Sequence, residues 1–245
     1  VTIVTGAGRG IGAATALLLA ERGHDVVVNY RQEEASAMHV VEAAVASGAR
    51  AIAVRADVTV DDDVTRLFAT AIDALGPVSG LVNNAGATLH IGDLADTPVA
   101  TIRAVIDVNL VSAILCSRRA AQVMSTSRGG SGGAIVNVSS AAATLGSAHE
   151  YVHYAAAKAG VDTLTLGLAK ELAREGIRVN AVAPEVARTD IHRDAGAPDR
   201  ADRSAERIPL GRPADPTEIA RVILWLLGPD ATYVTGAILR AAGGM

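Results

Sequence analysis

The sequence predicts an α/β fold, a single doubly wound sheet of about seven parallel strands with helices on both faces. Three observations carry this. Short apolar runs alternate with helical stretches along the whole 245-residue chain. Most of these runs are near-continuously apolar, as in parallel strands covered on both faces. A glycine-rich turn from Gly6 to Gly12 joins the first strand-like run to the first helical one, which suits a βαβ sheet with right-handed crossovers.

Taken in order, Val1–Thr5, Asp25–Tyr30, Ala51–Arg55, Gly80–Asn83, Ala134–Ser139, Arg178–Val182 and Ala237–Arg240 read as strands. Helices are expected over 11–22, 33–47, 61–74, 98–125, 154–175 and 215–227. Thr97-Pro98 reads as an N-cap followed by Pro at the first helical position. Asp61, Asp62 and Asp63 crowd a first turn, where the helix dipole favours negative charge, so they mark a helix start rather than a metal site. Gly23, Gly48 and Gly76 sit where helices stop. The run Arg128–Gly133 reads as a flexible loop before a strand, not a domain linker. One domain spanning residues 1–245 is expected.

Composition narrows the function. Half the residues are hydrophobic, enough for one sizeable core. A net charge of −4 leaves no basic footprint, so no nucleic-acid partner is expected. No apolar run is expected to reach the roughly 18 residues of a bilayer span, so no membrane partner is expected. Val1 opens directly into strand-like sequence, so no signal peptide is expected and a few residues are expected to be missing before it. Cys116 is the one cysteine. It reads as a small core residue, and the lack of a disulfide fits a cytoplasmic setting.

The turn at Gly6, Gly10 and Gly12 would let backbone approach a pyrophosphate, because glycine carries no obstructing Cβ. The following helix would offer free N–H groups and a positive dipole end. The spacing is T-G-x-x-x-G-x-G, not the G-x-G-x-x-G dinucleotide fingerprint; alone, it is also an ordinary tight turn. The second strand ends Val28-Asn29-Tyr30-Arg31, without the acid that holds an NAD ribose. Arg9 and Arg31 could both face a 2′-phosphate, so NADP(H) is preferred and NAD(H) possible. Against this, Arg31 could be a solvated first-turn residue beside Glu33 and Glu34.

Tyr154 and Lys158 stand four apart and share a helix face. A nearby ammonium would lower a phenol's pKa and suit it to proton exchange with an alcohol or carbonyl. By itself, Y-x-x-x-K is common on solvated helix faces. Lys158 is one of only two lysines, amid many arginines. The run Ile135–Ser140 ends in two hydroxyls, Ser139 and Ser140, at the carboxyl edge of a strand. Asn83-Asn84-Ala85-Gly86 closes another strand at the same edge. Asn109, inside the 98–125 helix, hints at a local break or a buried hydrogen bond.

Together these motifs resemble the classical short-chain dehydrogenase/reductase family over essentially the whole chain, in the right order. The glycine motif is met by Thr5 through Gly12, with Ile11 inside it, the adenine-contacting pair by Asp57-Val58, and N-N-A-G by Asn83–Gly86, including Ala85. The resemblance implies an NAD(P)-dependent Rossmann-type oxidoreductase that interconverts a carbonyl and a secondary alcohol. It implies that Tyr154 exchanges the proton and that Ser140, rather than Ser139, binds the same oxygen. Lys158 would hold the nicotinamide ribose and depress the Tyr154 pKa, and Asn109 would anchor a water. Pro184, the backbone of Val186 and the side chain of Thr189 would lie at the nicotinamide.

Three departures stand out. Glu185 replaces the small residue that usually follows Pro184. The Ser140–Tyr154 interval is one residue longer than usual, which a loop at Ser147–Tyr151 would absorb. Arg240 stands where Asp is typical.

Residues 187–210 form a long connection that the resemblance makes a substrate lid. Its Arg188, Arg193, Arg200, Arg203 and Arg207 could meet an anionic substrate, or be balanced by Asp190, Asp194, Asp199, Asp202 and Glu206. His149 and His153 could line the pocket or sit on surface loops. With one Phe, one Trp and four Tyr, an aliphatic pocket for a small or medium carbonyl substrate is expected. The family's bacterial sugar dehydrogenases and beta-ketoacyl carrier-protein reductases look equally close. The small residues of the 154–175 helix, with the 98–125 helix, resemble the family's dimer surface, which implies a homo-oligomer, typically a tetramer. Two other readings stand beside this one: a nucleotide-sensing protein with little turnover, motivated by Glu185, and an epimerase of the extended branch, which the short C-terminal region disfavours.

Overall fold

In the computed structural model, residues 1–245 are described apart from the side chain of His192. Seven strands form one sheet: β1 (Thr2–Val4), β2 (Val26–Tyr30), β3 (Ala51–Arg55), β4 (Gly80–Asn83), β5 (Gly133–Val138), β6 (Ile177–Pro184) and β7 (Ile238–Ala241). All pairings are parallel, in the order β3-β2-β1-β4-β5-β6-β7. The order reverses between β1 and β4, and the carboxyl edge there is where an open α/β sheet takes ligands. Every expected strand is present, each within two residues of its expected ends.

Helices α1 (Gly10–Glu21), α2 (Glu34–Ala46) and α3 (Asp61–Leu75) follow the first three strands. After β4 come α4 (Val99–Ile106), a π-helical turn (Asp107–Val111) and α5 (Ser112–Met124). The short α6 (Ala142–Leu145) and the long α7 (Val152–Leu172) follow β5. Two single-turn helices, α8 (Ile191–Asp194) and α9 (Arg200–Arg203), lie in the segment after β6, and α10 (Pro216–Leu227) precedes β7.

Two apolar clusters sandwich the sheet. On one face Phe68, Leu67, Met124 and Leu172 pack on Ile3, Leu81 and Ile135. On the other Leu19, Val40, Ile223 and Leu226 pack on Val4, Val28 and Val82. This explains the near-continuous apolar strands, since β1 and β4 are buried along their whole length. Cys116 lies in the first cluster as a free, buried thiol.

The acidic run does start α3, and Asp63 turns back to accept a hydrogen bond from the Asp57 N–H at 2.8 Å. Gly23, Gly48 and Gly76 have positive φ at the ends of α1, α2 and α3. Thr97 does not cap α4. Its hydroxyl donates to Asp93 O at 2.9 Å, and Pro98 takes the N-cap position. The glycine run before β5 is packed rather than loose: Gly132 N–H donates to Met124 O at 2.7 Å, and a Cβ on Gly133 would fall 2.0 Å from Ser79 O.

The expected helix over 98–125 is one helical rod broken at its centre by the π turn. Contrary to expectation, Val99–Met124 is long and apolar enough to cross a membrane by length and composition. Arg103 and Asp107 interrupt the run without lowering its mean hydropathy below that of a span. The rod packs on β4, β5, α3 and α7, with 28% of its most apolar stretch buried.

Candidate active site

A cleft of about 510 Å³ opens at the carboxyl edge, across the β1–β4 reversal. It is lined by the glycine turn with Arg31, Asp57 and Val58, by Thr189, which packs against Gly10, and by Ser140, Tyr154, Lys158 and Glu185. Of the residues singled out from sequence, Gly6, Arg9, Gly10, Ile11, Ala85, Gly86, Pro184 and Val186 also line it. Asn83, Gly12 and Asn109 do not.

The glycine turn is held by side chains from neighbouring strands. Gly6 N–H donates to Asn29 Oδ1 at 3.2 Å. Asn29 Nδ2 donates to Val54 O and Ala56 O, so this buried amide ties the ends of β1, β2 and β3 together. Asn84 Nδ2 donates to Thr5 O at 2.9 Å and Gly6 O at 3.0 Å. A Cβ on Gly12 would lie 2.4 Å from that Asn84 nitrogen, so Gly12 lets the helix close on the turn without touching the cleft. Gly6 and Gly10 adopt φ of +59° and +57°, which L side chains rarely adopt. Arg9 at the N-cap of α1 makes no side-chain cap, leaving the first-turn N–H groups available to an anion.

The Asn83 side chain turns away from the cleft. Its Nδ2 donates to Ser117 Oγ at 2.9 Å and Asn137 Oδ1 at 2.8 Å, a polar network inside the core. Asn84 instead carries the contacts that shape the cleft wall. Its type and position gave no signal beyond ordinary turn chemistry.

Asn109 both breaks the helix and makes buried hydrogen bonds. Its Nδ2 donates to Val105 O at 2.8 Å, one turn back, and to Ala87 O at 2.7 Å. A side chain competing for the i−4 carbonyl opens the ladder into a π turn. Asn109 Oδ1 is buried with no hydrogen-bond partner among the described residues. A Cβ on Gly86 would lie 2.6 Å from this oxygen and 3.4 Å from Lys158 Nζ. Gly86 therefore allows the loop after β4 to pass between Asn109 and Lys158.

Tyr154 and Lys158 lie in the first two turns of α7, which begins two residues earlier than the sequence suggests. Lys158 is 4% exposed, and its Nζ donates to Val138 O at 2.8 Å and sits 5.6 Å from the Tyr154 ring centre. Burial pulls its pKa down from 10.5 to about 8. The expected lowering of the Tyr154 pKa by Lys158 does not emerge. Burial pushes this phenol well above its ordinary value, the neighbouring Tyr151 adds to the rise, and Ser140's hydrogen bond opposes it. Desolvation of the phenolate dominates, and the ammonium is held against the ring and engaged by a backbone carbonyl. The Ser140 oxygen also accepts from Ala142 N–H at 3.2 Å, which fixes it beside Tyr154. Ser139 instead donates to Lys158 O and is buried.

Tyr151 stands edge-on to Tyr154, with ring centres 5.3 Å apart. Arg200 of α9 donates to both carboxylate oxygens of Glu150, at 2.8 and 2.6 Å, and to Tyr151 Oη at 2.9 Å. Its guanidinium also lies 5.1 Å from the Tyr151 ring centre. This part-buried fork joins the 187–210 segment to the start of α7. The other arginines there are mostly surface pairs: Arg188 with Asp202, Arg193 with Asp190 and Asp194, Arg203 with Asp199. Arg9 pairs with Asp194 at 2.5 Å and Asp190 at 3.6 Å, while Arg31 lies 3.8 Å from Asp57.

His149 and His153 do not line the cleft. His149 pairs with Asp93 at 2.8 Å on the surface, within the turn that absorbs the longer Ser140–Tyr154 interval, where Ser147 and His149 take positive φ. His153 is buried, not a surface residue.

The fit to a dinucleotide rests on this geometry: an uncapped helix start, a turn shaped by glycines and asparagines, and a cleft lined also by a phenol and an ammonium. A family model described as enoyl-(acyl carrier protein) reductase matches residues 6–245. The chain belongs to the short-chain dehydrogenase/reductase family and is an NAD(P)-dependent oxidoreductase acting on CH–OH groups. Among its relatives is an uncharacterized oxidoreductase, YgfF, of Escherichia coli K12, 44% identical over 245 residues, covering 100% of this chain and 99% of that one. A cis-4-hydroxycyclohexanecarboxylate dehydrogenase of Sinomonas cyclohexanicum is 44% identical over 244 residues, covering 100% and 95%. A crystal structure of a short-chain type dehydrogenase/reductase from Mycobacterium marinum superposes with a TM-score of 0.92 at 31% identity, covering 99% and 94%.

Proposed function

We propose that the protein is an NADP(H)-preferring oxidoreductase that interconverts a carbonyl compound and a secondary alcohol, with Tyr154 as the general acid and base. The observation that carries this reading is the convergence of Ser140, Tyr154 and Lys158 on the same cleft as the glycine turn. A bound nicotinamide supplies or accepts the hydride. In the reductive direction the Tyr154 phenol gives its proton to the carbonyl oxygen, and the Ser140 hydroxyl donates a hydrogen bond to that oxygen. The ammonium of Lys158, turned from Val138 O, favours the phenolate that remains. Asn109 Oδ1, buried and unpartnered, holds a water that returns the proton.

Arg9 and Arg31 line the cleft and supply the charge for a 2′-phosphate. Residues 187–210 act as the substrate lid of this single domain, fastened through Arg200. The exposed Ile114, Val152 and Leu166 on α5 and α7 support self-assembly into a tetramer.

The test is NADPH oxidation followed at 340 nm over a panel of ketones. Tyr154→Phe should lower kcat by on the order of 10³-fold or more while keeping the NADPH-induced rise in Tm. Full activity in that variant would overturn the mechanism. Tight NADPH binding without turnover of any ketone would favour a nucleotide-sensing protein instead.

A further inference from the structure

Glu185 lines the cleft together with Ser140, Tyr151, Tyr154 and Lys158. It follows the last residue of β6, and its backbone is held on both sides. Pro184 O accepts from Ala141 N–H at 2.7 Å, and Val186 O accepts from Ala214 N–H at 3.0 Å. Val186 and Ala187 are buried. The Glu185 side chain is half-buried and makes no hydrogen bond or ion pair with any described residue.

The cations that feel its charge are Arg200, Arg207 and Arg240, and Glu150 opposes it. Arg200 is committed to Glu150 and Tyr151, and Arg240 donates to Thr144 Oγ1 at 2.7 Å. The protein therefore surrounds this acceptor without supplying a donor to it. Its side chain lines the same cleft as the Tyr154 and Tyr151 side chains, and its charge disfavours both phenolates. A carboxylate drawn partly out of water gains from any donor placed before it.

We propose that Glu185 is a specificity determinant: it accepts a hydrogen bond from a substrate hydroxyl on a carbon close to the reacting one, so the enzyme selects hydroxylated carbonyl compounds and polyols over plain ketones. This rests on the carbonyl–alcohol reading above. The same carboxylate repels substrates that carry an anion at that position. It also gives Glu185 a use in turnover, where its departure from a small residue otherwise looks like damage to the site.

The experiment compares hydroxyacetone with butanone, which differ by a hydroxyl in place of a methyl, and 1,2-propanediol with 2-butanol in the oxidative direction. Because hydroxyacetone is also the more electrophilic ketone, the diagnostic quantity is the change in the kcat/KM ratio on substitution. Glu185→Leu should lower the hydroxyacetone-to-butanone ratio by about tenfold or more, and butanone itself should react as well or better. Glu185→Gln, whose amide oxygen still accepts, should keep part of the preference and guards against misfolding of the leucine variant. The NADPH-induced Tm rise should persist in both. Ratios within twofold of the parent in both variants would overturn the proposal while leaving the carbonyl–alcohol reading intact. If the parent protein binds NADPH but reduces neither ketone and oxidises neither alcohol, the carbonyl–alcohol reading itself fails.

Discussion

Lys158 imposes a stability cost that depends on pH, and the cost can be measured. Its pKa falls from 10.5 to about 8 on folding because the ammonium is buried. At about 1.4 kcal/mol per pH unit, this amounts to a penalty of about 3 kcal/mol for the charged form. Between about pH 8 and 10.5 the unfolded chain keeps a proton that the folded protein has released, so stability rises with pH across that window. Below pH 8 the folded state bears the full cost; above 10.5 it bears none. Lys158→Met removes the titration. Urea denaturation of both proteins without nucleotide, from pH 7.5 to 10.5, should therefore show the parent gaining about 3 kcal/mol on the variant. Other titrating groups are common to both proteins and largely cancel in the difference. A gap that stays constant to within about 0.5 kcal/mol would refute the idea that burial of this ammonium sets its pKa.

Other substitutions probe the rest of the site and the core. Gly86→Ala should push Asn109 and Lys158 apart and lower kcat on the order of 10²-fold; a change under twofold would mean the loop can yield. Replacing Arg9 and Arg31 together with Ala should raise the KM for NADPH at least about tenfold and leave that for NADH nearly unchanged, as the loss of two phosphate contacts requires. Equal effects on both cofactors would remove the case for a 2′-phosphate site. Phe68→Ala should cost about 3–5 kcal/mol in chemical denaturation, because Phe68 is fully buried between α3 and the sheet.

The legibility of the sequence follows the range of the interactions. The strands were readable because burial on both faces leaves an unbroken apolar run, as in Val26-Val27-Val28. Tyr154 and Lys158 were readable because four residues span one helical turn, and Asn109 because asparagine is a poor helix-interior residue. The fork from Arg200 to Glu150 and Tyr151 was not, since it joins residues about fifty positions apart. Three short helices, α6, α8 and α9, carry no sequence signal, because a single turn has no apolar period. Asn83 and Asn84 are chemically identical neighbours, and only the strand pleat decides that one enters the core while the other holds the glycine turn. Spacing reveals the ammonium beside Tyr154 but not the burial that raises the phenol's pKa.

The pairing of Arg9 with Asp190 and Asp194 bears on the sequence of events in turnover. The turn that would meet the nucleotide is fastened to the segment that would cover the substrate. A phosphate arriving at Arg9 must take the place of two carboxylates, and in doing so it unties that segment. The expected kinetics are compulsory-order, with nucleotide entering first and leaving last. NADP⁺ as product should then compete with NADPH alone, while the alcohol product should not.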